Sequence, residues 1–273
     1  MIRTAGLRLH SSAAAFDSIA ESYDDTFTRT PIGRAQRNVV WRALLDSFRP
    51  GDRILELNCG TGEDAFFLSG KGMQVVACDA SPGMIEVARR RESAESIPSP
   101  IDFRVLRTEE IGKLQPKLRF DGVLSNFSGL NCIGDLKRVA SDLQALTRPG
   151  APVCICLSTR FCLWEILWFT LHGNLHKAFR RIRGSSVARV GGQPVSVSYP
   201  TIRAIRRSFA PWFRLRTIRA VGLTVPPTFV RARVFAQPAI TSYLERLDAV
   251  LGRWPLFRAI GDHVLLTFES VSQ

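Results

Sequence analysis

The chain has no Cys-x-x-Cys pair, although six cysteines are spread along it at positions 59, 78, 132, 154, 156 and 162. That spacing argues against zinc ribbons and a disulfide framework, so a reducing cytoplasm is the expected setting. Cys154 and Cys156 lie two apart on a predicted strand, point the same way and so cannot face one another. No run reaches the ~18 consecutive apolar residues of a membrane-spanning helix. Phe161–Leu171 is the longest candidate, and Glu165 interrupts it. Met1–Ala15 carries two arginines and no acid but has no apolar signal core, and it reads as an extension before the first helix. Internal repeats and low-complexity segments are absent. Histidine is scarce, with four in 273 residues, which leaves few imidazoles for a base or a metal.

Acid is the most unevenly missing residue class. Residues 1–150 hold 20 Lys/Arg against 19 Asp/Glu, whereas residues 151–273 hold 17 against 5. Nearly all of the net charge of +13 therefore sits in the second half. An imbalance of this kind bears on partners rather than on fold. The apolar fraction of 45% and charged fraction of 22% are ordinary for a globular chain. The length suits one large domain, or one domain with an elaboration.

What is present centres on residues 53–62, Arg-Ile-Leu-Glu-Leu-Asn-Cys-Gly-Thr-Gly. Ile54, Leu55 and Leu57 predict a short buried strand, followed by a turn of small residues. Gly60 and Gly62 take backbone angles that other residues avoid and let a ligand lie against the main chain. Asn58 stands where many such turns carry a third glycine, and Asn tolerates the left-handed conformation best among the rest. Glu63 and Asp64 open a helix that Gly70 closes. Gly60-Thr61-Gly62-Glu63-Asp64-Ala65 fits G-x-G-x-x-G/A, a pattern shared by dinucleotide sites. A second strand, Met73–Asp79, ends on an acid suited to two ribose hydroxyls.

The run Asp79-Ala80-Ser81-Pro82-Gly83-Met84-Ile85-Glu86-Val87-Ala88-Arg89 narrows the reading. With Glu56-x-Asn-Cys-Gly-Thr-Gly, it resembles the class I S-adenosylmethionine-dependent methyltransferases. In that family an E/D-x-G-x-G-x-G turn precedes D-x-S-x-x-M-x-x-x-A-R. The resemblance covers roughly residues 12–158 by motif order. It implies S-adenosyl-L-methionine as cofactor, held by Glu56, Asn58, Cys59, Gly60 and Gly62 on the turn and by Asp79 and Ala80 after the second strand. Met84 would border the adenine, or serve as ordinary core. Thr108 or Glu109, past the third strand Ile101–Leu106, stand near the place of the family's adenine-binding acid. Asn126 and Phe127, past the fourth strand Phe120–Ser125, would border the methionine end and the reacting centre. Tyr23 would approach it from the helix predicted over Phe16–Phe27, unless Phe16, Tyr23 and Phe27 only dock that helix on the core.

Alternation of strands and helices predicts an α/β fold. By resemblance it is a doubly wound, mostly parallel, seven-stranded Rossmann-like sheet with an inserted helical cap. The expected division is an N-terminal lid over 1–50, a cofactor-binding core over 51–158, a basic and aromatic cap over 159–211, and completion of the sheet over 212–273. Within the cap the pattern predicts helices over Phe161–Ile182 and a loop over Gly184–Pro194. A loop is also predicted over 93–100, and the final strand, Asp262–Phe268, is expected to insert antiparallel.

The implied reaction is in-line methyl transfer to a small or lipid-like acceptor, with the basic half favouring an anionic one. His172 and His176, four apart, are candidates for a base or a metal pair, although no metal is expected; His263 reads as structural. Nucleic acid is disfavoured, because Ser125-Asn126-Phe127-Ser128 is not the D/N-P-P-Y/F run of base-amino methyltransferases. Trp164, Leu167, Trp168 and Phe169 precede Lys177, Arg180, Arg181 and Arg183, the pattern of a helix lying on an anionic membrane at its inner face. The alternative is a lid whose aromatics cover the substrate while its arginines stay solvated. Two rival functions are a nicotinamide-dependent oxidoreductase and a non-catalytic binding protein.

Overall fold

The computed structural model of the chain describes residues 12–94, 100–114, 119–230, 235 and 237–271. The extension expected before the first helix falls mostly outside these residues, as does most of the loop expected over 93–100. The first half runs α1 (Ser12–Asp17), α2 (Pro31–Ser47), β1 (Arg53–Leu57), α3 (Glu63–Gly70), β2 (Gln74–Asp79), α4 (Pro82–Ala94), β3 (Asp102–Val105), β4 (Gly122–Ser125), α5 (Leu136–Leu146) and β5 (Pro152–Leu157). An insertion follows with α6 (Leu163–Leu171), α7 (Leu175–Ala178), β6 (Ser185–Val190) and β7 (Gln193–Ser198). The chain then completes the sheet with α8 (Ile202–Phe209), β8 (Phe213–Val221), α9 (Pro238–Leu251) and β9 (His263–Ser270).

Seven strands form one sheet in the order β3-β2-β1-β4-β5-β9-β8. The first five are parallel, and β9 runs antiparallel to both β5 and β8, as expected. Helices cover both faces, which is why β5 reads as an unbroken apolar run. Its side chains divide between two cores. Val153, Ile155 and Leu157 join Leu55, Leu143, Phe209 and Phe268 on one face. Cys154 and Cys156 join Val40, Leu44, Phe48 and Leu68 on the other. The six cysteines are free, and burial pushes the Cys154 thiol up to about 11. A thiol held protonated in this way is unreactive.

Local chemistry sets the helix starts. Thr30 accepts from Gly33 N at 3.0 Å with Pro31 as the first residue of α2, and Asp135 accepts from Arg138 N at 3.0 Å to start α5. Each satisfies an amide that the helix itself leaves free.

Two expectations change. The segment predicted as one helix over Phe16–Phe27 is α1, a 3-10 turn at Ala20–Ser22 and a π turn at Asp24–Thr28. The aromatic spacing is satisfied without a continuous helix, because Asp17 bonds across to Ser81 and Gly83 rather than along its own segment. The segment predicted as a loop over Gly184–Pro194 is largely the β6–β7 hairpin, so the inserted cap contains a sheet as well as helices. Its turn is Gly191-Gly192, both with positive φ (55° and 77°), flanked by alternating Val187 and Val195, Val197. A Gly-Gly pair between alternating residues is a hairpin signal.

Candidate functional site

The carboxyl ends of β1, β2 and β4 come level in the sheet, with Leu57 opposite Cys78 and Ser125. The turn after β1 therefore opens beside the loops after β2 and β4, at the edge where open α/β sheets take ligands. A cleft there encloses about 1150 Å³ including its mouth. That is somewhat above the ~300–1000 Å³ usual for one small-molecule pocket.

Eleven of the thirteen site residues named from sequence line this cleft: Tyr23, Asn58, Cys59, Gly60, Asp79, Ala80, Met84, Thr108, Glu109, Asn126 and Phe127. Glu56 and Gly62 do not. Gly62, with φ of 82°, starts α3, and a Cβ there would meet the Phe103 ring at 2.9 Å. Glu56 lies just behind the turn, 1% exposed, and its Oε2 has no hydrogen-bond partner. Burial pushes its carboxyl well above the usual carboxylate range, and the neighbouring Asp64 adds to the shift.

Asp79 ties the turn to β2. Its Oδ2 accepts from Gly60 N at 2.9 Å and its Oδ1 from Ser81 N at 2.8 Å. The Ala80 amide also acts on this carboxylate; with two acceptor sites per oxygen, the pair still has capacity for a ligand hydroxyl. Burial raises the Asp79 carboxyl, against the backbone bonds that favour its anion. Asn58 adopts the left-handed conformation, with φ of 56°. Its amide donates to Thr108 Oγ1 at 2.9 Å, and its Oδ1 accepts from Ser125 Oγ at 3.3 Å. One side chain thereby joins the ends of three strands. A Cβ on Gly129 would lie 2.3 Å from Asn58 Cβ, so the loop after β4 passes this close only as glycine.

The N-terminal segment is pinned over the turn. Asp17 Oδ1 accepts from Gly83 N at 2.6 Å, Thr61 Oγ1 donates to Asp24 Oδ1 at 2.7 Å, and Arg91 reaches Asp24 at 3.4 Å. Tyr23 both packs between Phe16 and Phe27 and lines the cleft, so its two readings coincide. Burial raises the pKa of its hydroxyl, which stays protonated.

Sequence reasoning missed Arg37 and Asp64 at the inner end of the cleft. Asp64 accepts from Arg37 at 2.5 Å, Trp41 at 2.6 Å and Asn126 at 3.0 Å. Arg37 lies over the Phe127 ring, 4.9 Å from its centroid. No local motif marks these partners, which sit on different elements. Phe127 and Ser128 hold positive φ of 46° and 69°. Such strain in non-glycine residues collects at functional sites. The other end of the cleft was also missed: Ala13 and Phe16 from the lid, Ile133 after β4, and Val190, Val195 and Val197 from the hairpin.

The histidines are not where spacing placed them. His172 caps the end of α6 and His176 lies in α7; both are exposed and outside the cleft. No group of ligands for a metal ion occurs among the described residues. His263 is buried against Phe127, edge to face at 5.3 Å, and burial lowers its pKa. Arg180 and Arg181 are likewise not solvated cations. Glu165, 1% exposed, accepts from Arg180 at 2.7 Å and from Arg181 at 2.9 Å, and Arg181 also reaches Asp262 at 2.7 Å. The cationic run expected to face outward is half consumed in anchoring the insertion.

Comparisons with known proteins agree with this geometry. The family model for a methyltransferase domain matches residues 54–150. The chain is 32% identical over 147 residues to a demethylmenaquinone methyltransferase of Clavibacter sepedonicus, covering 53% of this chain and 56% of that protein. It is 28% identical over 206 residues to a malonyl-[acyl-carrier protein] O-methyltransferase of Serratia marcescens, covering 72% and 75%. The chain thus spans little more than half the length of the demethylmenaquinone relatives it matches. A solved S-adenosylmethionine-dependent methyltransferase from Methanosarcina mazei superposes with a TM-score of 0.57 at 14% identity, over 85% of this chain and 98% of that one. At that identity the likeness is one of fold.

Proposed function

We propose that this chain is a class I S-adenosylmethionine-dependent methyltransferase, as its similarity to such proteins supports, and that it methylates a small, largely apolar, lipid-like acceptor. The observation that carries the reading is the division of the cleft. One end is polar backbone and carboxylate around Gly60 and Asp79; the other is apolar, with Phe16, Ile133, Val190, Val195 and Val197. The two cations that line the cleft, Arg37 and Arg107, are paired with Asp64 and Glu109, so the anionic element expected from composition finds no support there. Relatives named for demethylmenaquinone and malonyl-acyl carrier protein support a small organic acceptor.

The residues fit the cofactor. Glu56 is a buried acid with an unpartnered oxygen close to Asp64 and Asp79, an arrangement that favours a cation. Gly60 has no atom within 4 Å of where a Cβ would lie. We assign the remaining acceptor capacity of Asp79 to the ribose, and Ala80, Met84, Thr108 and Glu109 to the adenine. Tyr23, Asn126 and Phe127 border the methionine end, together with Arg37 and Asp64. When bound, S-adenosylmethionine supplies an electrophilic methyl on a sulfonium. The protein's part is to orient the acceptor in line and exclude water, with Asn126 and Arg37 fixing Asp64 and the valines covering the acceptor. We retain the division into a lid over 1–50, a cofactor core over 51–158, a cap over 159–211 and a sheet-completing segment over 212–273.

Calorimetry with S-adenosylmethionine and with NAD tests the cofactor. Transfer of a labelled methyl group into fractionated lipid and metabolite extracts tests the acceptor. Binding of NAD alone would replace the reading with an oxidoreductase; label confined to water-soluble ionic products would overturn the apolar acceptor.

A further inference from the structure

With Arg180 and Arg181 turned inward, what α6 and α7 leave outside is leucine. Leu163, Leu167 and Leu171 are 38%, 51% and 83% exposed, at i, i+4 and i+8 on one face of α6, and Leu175 on α7 is 58% exposed. Leu163 N donates to Ile260 O at 2.9 Å, which sets the start of α6 beside the turn following α9. That turn exposes Trp254 by 52% and Leu256 by 80%. The opposite face of α6 is inward and polar, with Glu165 buried and Trp164 Nε1 bonded to Leu223 O at 2.9 Å. The exposed leucines are therefore not a helix turned inside out. They are an apolar surface that a folded, anchored insertion presents to solvent.

The segments that carry this surface are poor in exposed acid, the nearest being Asp46, which pairs with Arg253 beside Trp254. From Leu143 to Leu244 the chain contains one acid, Glu165, and it is buried. Lys177 on α7, Arg183 in the 3-10 turn that follows it and Arg258 two residues past Leu256 are exposed. We propose that the α6–α7 face docks on an anionic lipid surface, the leucines and Trp254 entering the headgroup boundary while the cations meet lipid phosphates. A helix presenting Leu and Trp beside Lys and Arg suits that interface. A second copy of the chain is a poorer occupant. A symmetric pairing through this face would bring Lys177, Arg183 and Arg258 against their own copies, with no exposed acid nearby in sequence to offset them. Among the described residues no helix is long and apolar enough to cross a membrane, and the contact proposed is a peripheral one. The surface lies outside the cleft, and the proposal stands whether or not the acceptor reading does.

The test is co-sedimentation of the full chain with phosphatidylcholine vesicles, with and without phosphatidylglycerol, at low and high salt. Strong pelleting only with phosphatidylglycerol, weakened by salt, is expected. The double variant Leu167→Glu/Leu171→Glu should reduce it about tenfold or more, since it removes apolar area and adds repelled charge. Val187→Glu, at an exposed hairpin position, should leave pelleting nearly unchanged. Calorimetry with S-adenosylmethionine on each variant verifies the fold; unchanged cofactor affinity with lost pelleting separates this proposal from the methyltransferase reading. No pelleting at low salt, or equal pelleting by the leucine variant, overturns the proposal. So does a wild-type dimer in light scattering that the leucine variant converts to monomer.

Discussion

The two ends of the cleft are made by different means. At the β1–β2–β4 end the wall is largely backbone: Asn58 and Gly60 hold left-handed angles, and Asp79 is clamped by backbone amides. At the insertion end the wall is side chain: valines from a hairpin whose base is anchored through Glu165, Arg181 and Asp262. A backbone wall demands particular residues at fixed spacing. A side-chain wall accepts many apolar residues, provided something holds it in place. The family model follows the same line, matching residues 54–150 and stopping before the insertion.

Arg181→Ala probes the comparison from the insertion side. It leaves Asp262 and part of Glu165 buried without their cation, at a cost of about 3–5 kcal/mol. A large drop in melting temperature is expected, with cofactor affinity retained in the molecules that remain folded. Equal losses in both measurements would mean that the two ends are not separable. Gly60→Val is the converse. Its Cβ meets no protein atom, so the strain of φ at 55° costs only about 1–2 kcal/mol, while the side chain enters the ligand's space. Calorimetry should find no S-adenosylmethionine binding in a protein that still unfolds cooperatively.

Asp79→Ala should have a smaller effect, removing charged hydrogen bonds worth about 1.5–3 kcal/mol each, or roughly 10- to 150-fold in affinity if one net bond is lost. Unchanged affinity would detach the acid from the ligand and leave it only its role in clamping the turn.

The smallest effect is in pH dependence. Burial holds the His263 pKa below its ordinary 6.5, Asp262 opposes that shift and Arg181 adds to it. Just below pH 6.5 the unfolded chain binds a proton that the folded chain does not, so this group's contribution falls as pH drops through that window. Glu56, raised by burial, acts in the opposite sense above its ordinary 4.5. The readout is therefore the difference between wild type and His263→Gln: the wild type should lose stability relative to the variant on acidification, at a slope of at most about 1.4 kcal/mol per pH unit. A constant difference between pH 7 and 5 would mean that His263 titrates normally.

This contrast also explains what sequence could convey. The turn, β2 with Asp79, and Asn126 were legible because left-handed angles and strand ends restrict residue choice locally. Arg37 and Asp64 were not, because their pairing spans α2 and α3 and no short pattern encodes it. The cations of the insertion were visible but their destination was not: Arg181 and Arg183 look alike in sequence, and the buried Glu165 and Asp262 turn the first inward. The hairpin was legible in principle. Gly191-Gly192 signals it, yet the serines and arginines around the pair favour a loop reading.

The contact between Asn58 and Gly129 carries a consequence for ancestry. A Cβ at 129 would lie 2.5 Å from Asn58 Cγ and 2.7 Å from its Oδ1, so the two positions are not free to change in either order. A lineage that keeps asparagine at 58 is confined to glycine at 129. One that first replaces Asn58 by glycine can then place a side chain at 129, in the wall of the cleft. The first substitution gives up the bonds to Thr108 and Ser125 and determines which acceptor shapes later mutation can reach.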